Sequence, residues 1–204
     1  MRIIFVRHGQ TQWNIDGISQ GQQHNPLNET GIRQAKALAK RLAKEHIDVI
    51  YSSDLNRTKM TTEQIAAFHP DAPVRYTKEL REIAHGIYDG KPGAERAAIE
   101  KASGQPLHTF RPQDGESLQD VYHRAVAFYK ALIKAHHHGE TILCVTHGGL
   151  LNMLMLYLHG DPLNDETILL RTFENTSISV VEVSDDKKHK VTSINDYDHL
   201  SRKV

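Results

Sequence analysis

Apolar runs without polar alternation and apolar positions at helical spacing take turns along this chain. Ile3-Ile4-Phe5-Val6 is β-branched and aromatic throughout, which predicts a strand covered on both faces in a parallel sheet. After a turn at Gly9, Ile32, Ala35, Leu38, Ala39 and Leu42 recur with Lys and Arg between them. That spacing predicts an amphipathic helix from the N-cap Asn28 to about Glu45. Residues 48–51 read as a strand, 58–67 as a helix and 74–76 as a brief strand, giving β-α-β-α-β. The stretch 84–116 is punctuated by Gly86, Gly90, Gly93, Gly104, Pro106, Pro112 and Gly115. It reads as loops, a lid or insertion, with one weak helix near 94–102. Ser117 then caps a long helix on Leu118, Val121, Ala125, Phe128 and Leu132. Residues 141–145 form a second fully apolar strand, 150–158 an apolar helix, and 177–183 with 191–194 a closing hairpin around Asp185-Asp186-Lys187-Lys188. The expected fold class is α/β: three layers, a doubly wound, mostly parallel sheet with helices on both faces.

Composition narrows the function. The 204 residues, 39% hydrophobic, suit a single domain over 1–204 with one sizeable core. Lys+Arg and Asp+Glu both number 25, so the net charge is +0, which argues against nucleic acid or an anionic membrane as partner and makes any cationic site local. The lone Cys144 excludes an intramolecular disulfide and suits a reducing, cytoplasmic location. The apolar start is too short for a signal-peptide core, and no stretch approaches the ~20 apolar residues of a membrane helix.

Two of the predicted strands end in His-Gly: Val6-Arg7-His8-Gly9 and Val145-Thr146-His147-Gly148. In a doubly wound sheet, ligands bind beyond the carboxyl ends of the strands, so both imidazoles face one edge. Gly9 and Gly148 let the backbone turn there and approach a bound group closely. Arg7 adds a guanidinium fork suited to phosphate oxygens. One Arg-His-Gly string alone is weak and equally reads as a surface turn. Arg57 falls at a helix start, where amide N–H groups favour an anion, although alone it reads more simply as a solvated helix residue. Glu82 is a candidate general acid, or else the ion-pair partner of a neighbour such as Arg81. A phosphoryl-transfer site needs a nucleophile, cations around the nonbridging oxygens and a proton donor. His8, then Arg7, Arg57 and His147, then Glu82 meet those needs with no metal required. Nearby guanidinium charge favours neutral His8, whereas His147 is expected to donate to phosphate.

On these residues the chain resembles branch one of the histidine phosphatase superfamily, the phosphoglycerate mutase-like or RHG family. Arg7-His8-Gly9-Gln10-Thr11 is similar to its nucleophile motif, residues 25–35 to its first-helix signature and residues 53–61 to the segment with the second phosphate-binding arginine. Residues 80–83 with Gly86 and Gly90 resemble its acid loop, Gly115-Glu116-Ser117 through Arg124 its helix-opening segment, and residues 145–149 its second His motif. The resemblance implies His8 as nucleophile, Arg7, Arg57 and His147 as phosphate ligands and Glu82 as proton donor. It places Asn14 and Gln20 in the substrate pocket, and no cofactor. Gln10, Asn28 and His85 depart from the common pattern, His85 standing where an aromatic residue is frequent.

The implied activity is a metal-independent phosphomonoesterase acting on small phosphorylated metabolites through a phosphohistidine. The alternatives are a phosphoglycerate mutase, disfavoured by the few cations in 84–116, and a phospho-ligand-binding protein, disfavoured because every catalytic residue type is present. Either a monomer or a homodimer is compatible with the sequence. His136-His137-His138 reads as a solvated loop rather than a metal site, and Met153 and Met155 as core. Protonation of the 14 histidines below pH ~6.5 suggests a slightly acid optimum.

Overall fold

A computed structural model describes residues 1–201. Its six strands are β1 (Arg2–Arg7), β2 (Val49–Ser53), β3 (Val74–Thr77), β4 (Thr141–Thr146), β5 (Ile178–Val183) and β6 (His189–Asp196). They form one sheet in the order β3-β2-β4-β1-β5-β6. The β3/β2, β2/β4 and β4/β1 pairs are parallel, and the closing hairpin β5/β6 runs antiparallel against β1. The helices are α1 (Gln12–Ile15), α2 (Glu29–Leu42), α3 (Asn56–Ala66), α4 (Gly93–Ala102), α5 (Leu118–Ala135) and α6 (Gly148–His159).

Covering on both faces explains the unbroken apolar runs. Along β1, Ile3 and Phe5 enter a core with residues of α5 and α6, while Ile4 and Val6 enter a second core with α2 residues Leu38, Ala39 and Leu42. Along β4, Ile142 and Cys144 face the first and Leu143 and Val145 the second. Successive side chains point to opposite faces, so a strand between two helical layers is apolar at every position. Edge strand β6 alternates instead between exposed and half-buried positions. Met153 and Met155 lie in the first core, as their helical spacing predicted.

The caps follow the sequence. The Asn28 side chain accepts the Gly31 N–H, and Ser117 opens α5 in a capping box with Asp120. The four-residue α1 has no buried residue, hence no apolar period to announce it; Thr11 and Asn14 hold it by a reciprocal cap. Helix α6 starts at Gly148 rather than Leu150, because His147 is its N-cap. Among the described residues no helix is long and apolar enough to cross a membrane.

Strand pairing fixes the site. Arg7 is in register with Thr146 on the adjacent parallel strand, so His8 and His147 leave the sheet side by side at its carboxyl edge. Strand β2 ends next to them, delivering Ser53 and, one turn on, Arg57.

Candidate active site

His8 is 2% exposed, and its Nδ1 lies 2.7 Å from the Gly9 carbonyl oxygen. A carbonyl only accepts, so Nδ1 carries the proton and Nε2 keeps its lone pair. Burial, then the charges of Arg57 and Arg7, hold its pKa well below the usual imidazole value. Gly9 is required here: a Cβ would sit 2.6 Å from the Gly31 carbonyl oxygen where α2 packs against the turn.

Arg57 is fully buried, which removes the reading of a solvated helix residue. Its Nη2 donates to the Gly21 carbonyl at 2.8 Å, and its Nη1 to the Gln23 carbonyl at 2.9 Å and to Asn25 Oδ1 at 3.0 Å. Its Nε donates to His147 Nδ1 at 3.2 Å. Burial lowers its pKa to about 10, so it stays charged at neutral pH. Arg7 donates from Nη1 to the Phe173 carbonyl, while its buried Nε has no hydrogen-bond partner in the protein. A Cβ on Gly148 would lie 3.3 Å from that Nε, so Gly148 makes room for the guanidinium.

His147 is buried with its ring centroid 5.1 Å from that of His8. Its Nδ1 accepts from Arg57, so Nε2 holds the proton, 2.9 Å from Ser53 Oγ. Burial and the surrounding cations keep it neutral. Through that bond His147 orients the Arg57 guanidinium.

Glu82 is half-buried. Its Oε1 accepts the Ile83 N–H at 3.1 Å and its Oε2 the Gly149 N–H at 3.2 Å. Arg81 does not pair with it, because its guanidinium is taken by Asp54 through two hydrogen bonds of 2.5 and 2.6 Å. Arg124 grips the acid loop, donating to the carbonyls of Glu79 and Arg81, both at 2.8 Å, and to Glu116. Glu116 in turn accepts the Ala84 N–H at 3.0 Å.

Arg7, His8, Asn14, Gln20, Arg57 and Glu82 share the wall of a cavity of about 170 Å³, so six of the eight residues singled out in the sequence converge there. His147 and Gly148 do not line it. The Thr11 N–H donates to Asn14 Oδ1, and Gln20 Oε1 accepts from Asn25 at 2.6 Å, linking Gln20 to Arg57. Beyond Glu82 and His85, which border both spaces, lies a second cavity of about 300 Å³.

Sequence reasoning missed Ser53, Asn25 and Gly149. The Gly149 signal was the glycine doublet: a Cβ there would sit 2.4 Å from Glu82 Oε1. In the His136-His137-His138 loop, His137 and His138 are exposed as expected, and His136 is half-buried. His136 pairs with Glu140 and Tyr51, both at 3.0 Å, and His138 with Asp185 at 2.7 Å. Among the described residues no three His, Cys, Asp or Glu side chains are grouped to hold a metal ion.

The family model described as "Histidine phosphatase superfamily (branch 1)" matches residues 3–196. A metal-independent phosphoserine phosphatase of Arabidopsis thaliana is 37% identical over 98% of this chain and 83% of its own length. Phosphoserine phosphatase 1 of Hydrogenobacter thermophilus is 31% identical over 98% of this chain and 94% of its own. Among solved structures, Bacillus stearothermophilus YhfR superposes with a TM-score of 0.88 at 32% identity, covering 98% of each chain.

Proposed function

The chain belongs to branch 1 of the histidine phosphatase superfamily, and from that premise we propose that it hydrolyses small phosphomonoesters without a metal, through a phosphohistidine on His8. One observation carries the assignment to His8: its Nδ1–H is pinned to a backbone carbonyl, leaving Nε2 unprotonated in a cavity that it shares with two guanidinium groups.

In this mechanism His8 Nε2 attacks phosphorus and the bond from phosphorus to the alcohol oxygen breaks. Glu82 gives its proton to the departing alkoxide. Water then attacks the phosphohistidine, Glu82 takes a proton from it, and inorganic phosphate leaves with His8 restored. Arg7, through its unpartnered Nε, and Arg57 offset charge on the nonbridging oxygens. His147 keeps Arg57 in place for the phosphate, its Nδ1 accepting from Arg57 Nε while its Nε2–H faces Ser53 Oγ. Asn14, Gln20 and Gly148 complete the binding set. The lone, buried Cys144 suits a reducing cytoplasm.

Hydrolysis rather than phosphoryl return to a bound acid is favoured by the second cavity. Among the described residues lining it, Arg96 is the one Arg or Lys, and Glu100 holds it at 2.9 Å. That single guanidinium has Nη1 on Glu100 and an unpartnered Nε, so a second phosphate or a carboxylate meets no cluster of cations there. The test is phosphate release from a panel of monoesters in EDTA, with a quench in alkaline detergent to trap phosphoenzyme, because an N–P bond survives base and hydrolyses in acid. Release with a trapped, acid-labile phosphoryl group that disappears in His8→Ala supports the mechanism; release at an undiminished rate in that variant overturns it.

A further inference from the structure

We propose that Gln34 is a positioning residue for the nucleophile: through the peptide unit joining Gly9 to Gln10, its side-chain oxygen aims and polarises the carbonyl that holds His8 Nδ1. The inference rests on the phosphatase reading above and deepens it by saying what keeps His8 in its attacking form.

Helix α2 meets the turn with one face. Asn28, Gly31 and Gln34 step by three residues from the N-cap and so stand in line along it. The Asn28 N–H donates to the Gln10 carbonyl at 3.0 Å, and Asn28 Nδ2 to Gln10 Oε1, also at 3.0 Å. A Cβ on Gly31 would collide with that same carbonyl, so the glycine lets the turn sit directly on the helix. Gln34 supplies the last contact: its Oε1 accepts the Gln10 N–H at 2.9 Å. A backbone N–H only donates, so the oxygen of the Gln34 amide, not its nitrogen, faces it.

That N–H belongs to the same planar peptide as the Gly9 carbonyl, which accepts from His8 Nδ1 at 2.7 Å. The two bonds therefore form one chain, from His8 Nδ1–H through the peptide to Gln34 Oε1, in which each strengthens the other. A stronger acceptor at Gly9 keeps the proton on Nδ1 and the lone pair on Nε2, the nitrogen that attacks. The preceding peptide is held separately. Its carbonyl, that of His8, accepts from Asn175 Nδ2 at 2.9 Å, and its N–H, that of Gly9, donates to Thr61 Oγ1 at 3.1 Å. Loss of Gln34 thus leaves the His8 main chain anchored and frees only the peptide that selects the tautomer. Arg57 draws its partners elsewhere, from Gly21, Gln23, Asn25 and His147, so its grip on phosphate does not run through Gln34.

The test is Gln34→Met, close in size and without an oxygen acceptor. It is read by single-turnover phosphoenzyme formation in EDTA and by long-range proton–nitrogen spectra of the imidazoles, the His8 signals being assigned by their loss in His8→Ala. The rate at saturating ester should fall about tenfold or more, the scale of misaiming a reacting group, while half-saturation and inhibition by inorganic phosphate hold. The His8 nitrogens should move from one protonated and one bare toward an average of the two tautomers. Gln34→Glu keeps an oxygen acceptor and makes it anionic, so it should retain the rate and carry the His8 Nδ1–H proton to lower field. An unchanged rate with unmoved His8 nitrogens in Gln34→Met overturns the inference, as does a fall that Gln34→Glu does not restore. If Gln34→Met does not fold, an unmoved Nδ1–H proton in Gln34→Glu overturns it alone. The spectra need no turnover, so the two readings fail separately. Phosphate release undiminished in His8→Ala sinks the phosphatase mechanism, whereas a trapped phosphoenzyme with unmoved His8 signals in the Gln34 variants sinks only this inference.

Discussion

The two cavities that meet at Glu82 are built in opposite ways. On the phosphate side, Arg57 spends four donor contacts on two backbone carbonyls, Asn25 and His147, His8 is pinned by its own turn, and the elements come from strand ends of the sheet. Each side chain has one place to be. On the alcohol side, the wall comes from the loop-rich segment around α4, the start of α5 and the turn at residues 167–169, and among the described residues its one ion pair is the i,i+4 contact of Arg96 with Glu100. Rigid geometry serves the group that every substrate shares, and an adaptable wall serves the group that differs between substrates.

Breaking the phosphate side should cost most. His8→Ala removes the proposed nucleophile and should abolish turnover of every ester, with no phosphoenzyme on alkaline quench. Arg57→Ala removes a preorganised cation and the prop of His147, so kcat should fall about 10²–10³-fold whatever the alcohol; a loss confined to some alcohols would contradict the division. Glu82→Gln sits on the boundary and should separate the two sides. Alkyl phosphates, whose alkoxide needs a proton, should slow by roughly 10²-fold or more, while p-nitrophenyl phosphate, with its stable phenolate, should change little. Gly149→Ala should copy that pattern more weakly, because its Cβ would sit 2.4 Å from Glu82 Oε1 and move the carboxyl group without deleting it.

The smallest effect is on stability. His8 and His147 have folded-state pKa values depressed below the ordinary value near 6.5. Their contribution is therefore complete above ~6.5 and is lost as pH falls below it, at up to about 1.4 kcal/mol per pH unit for each. Urea melts from pH 7.5 to 5.5 should show falling stability, and His8→Gln should make the fall shallower; a rise on acidification would overturn the assignment of both as buried neutral groups. The same burial takes these two histidines out of the count behind an acid optimum, so kcat/KM should hold through pH 6.5.

Most of the fold was legible because its strands are sandwiched: Ile3 to Val6 and Ile142 to Val145 are apolar at every position for a reason that topology imposes. The site was legible where function sits at strand ends with a glycine behind, as at His8 and His147. It was not legible where the partner is a backbone carbonyl, since nothing in Gly21 or Gln23 announces that each accepts from Arg57. Nor did the sequence reveal which His147 nitrogen faces Arg57, because that depends on a serine at the end of another strand. The substrate end was least readable: Leu169 looks like any leucine until it is found exposed at the rim of a cavity.

The place of β1 in the sheet also bears on the order in which the site is assembled. Strand β1 precedes β2 and β3 in the chain, yet its neighbours in the sheet, β4 and β5, follow them. A nascent chain emerging from the ribosome therefore carries its nucleophile early, but without the buried, cation-flanked setting that His147 and Phe173 help to complete. Such long-range pairing is slow, and it makes assembly of the site one of the last folding events. A chain cut short before β4 would carry His8 without His147 and Phe173 and should show no turnover.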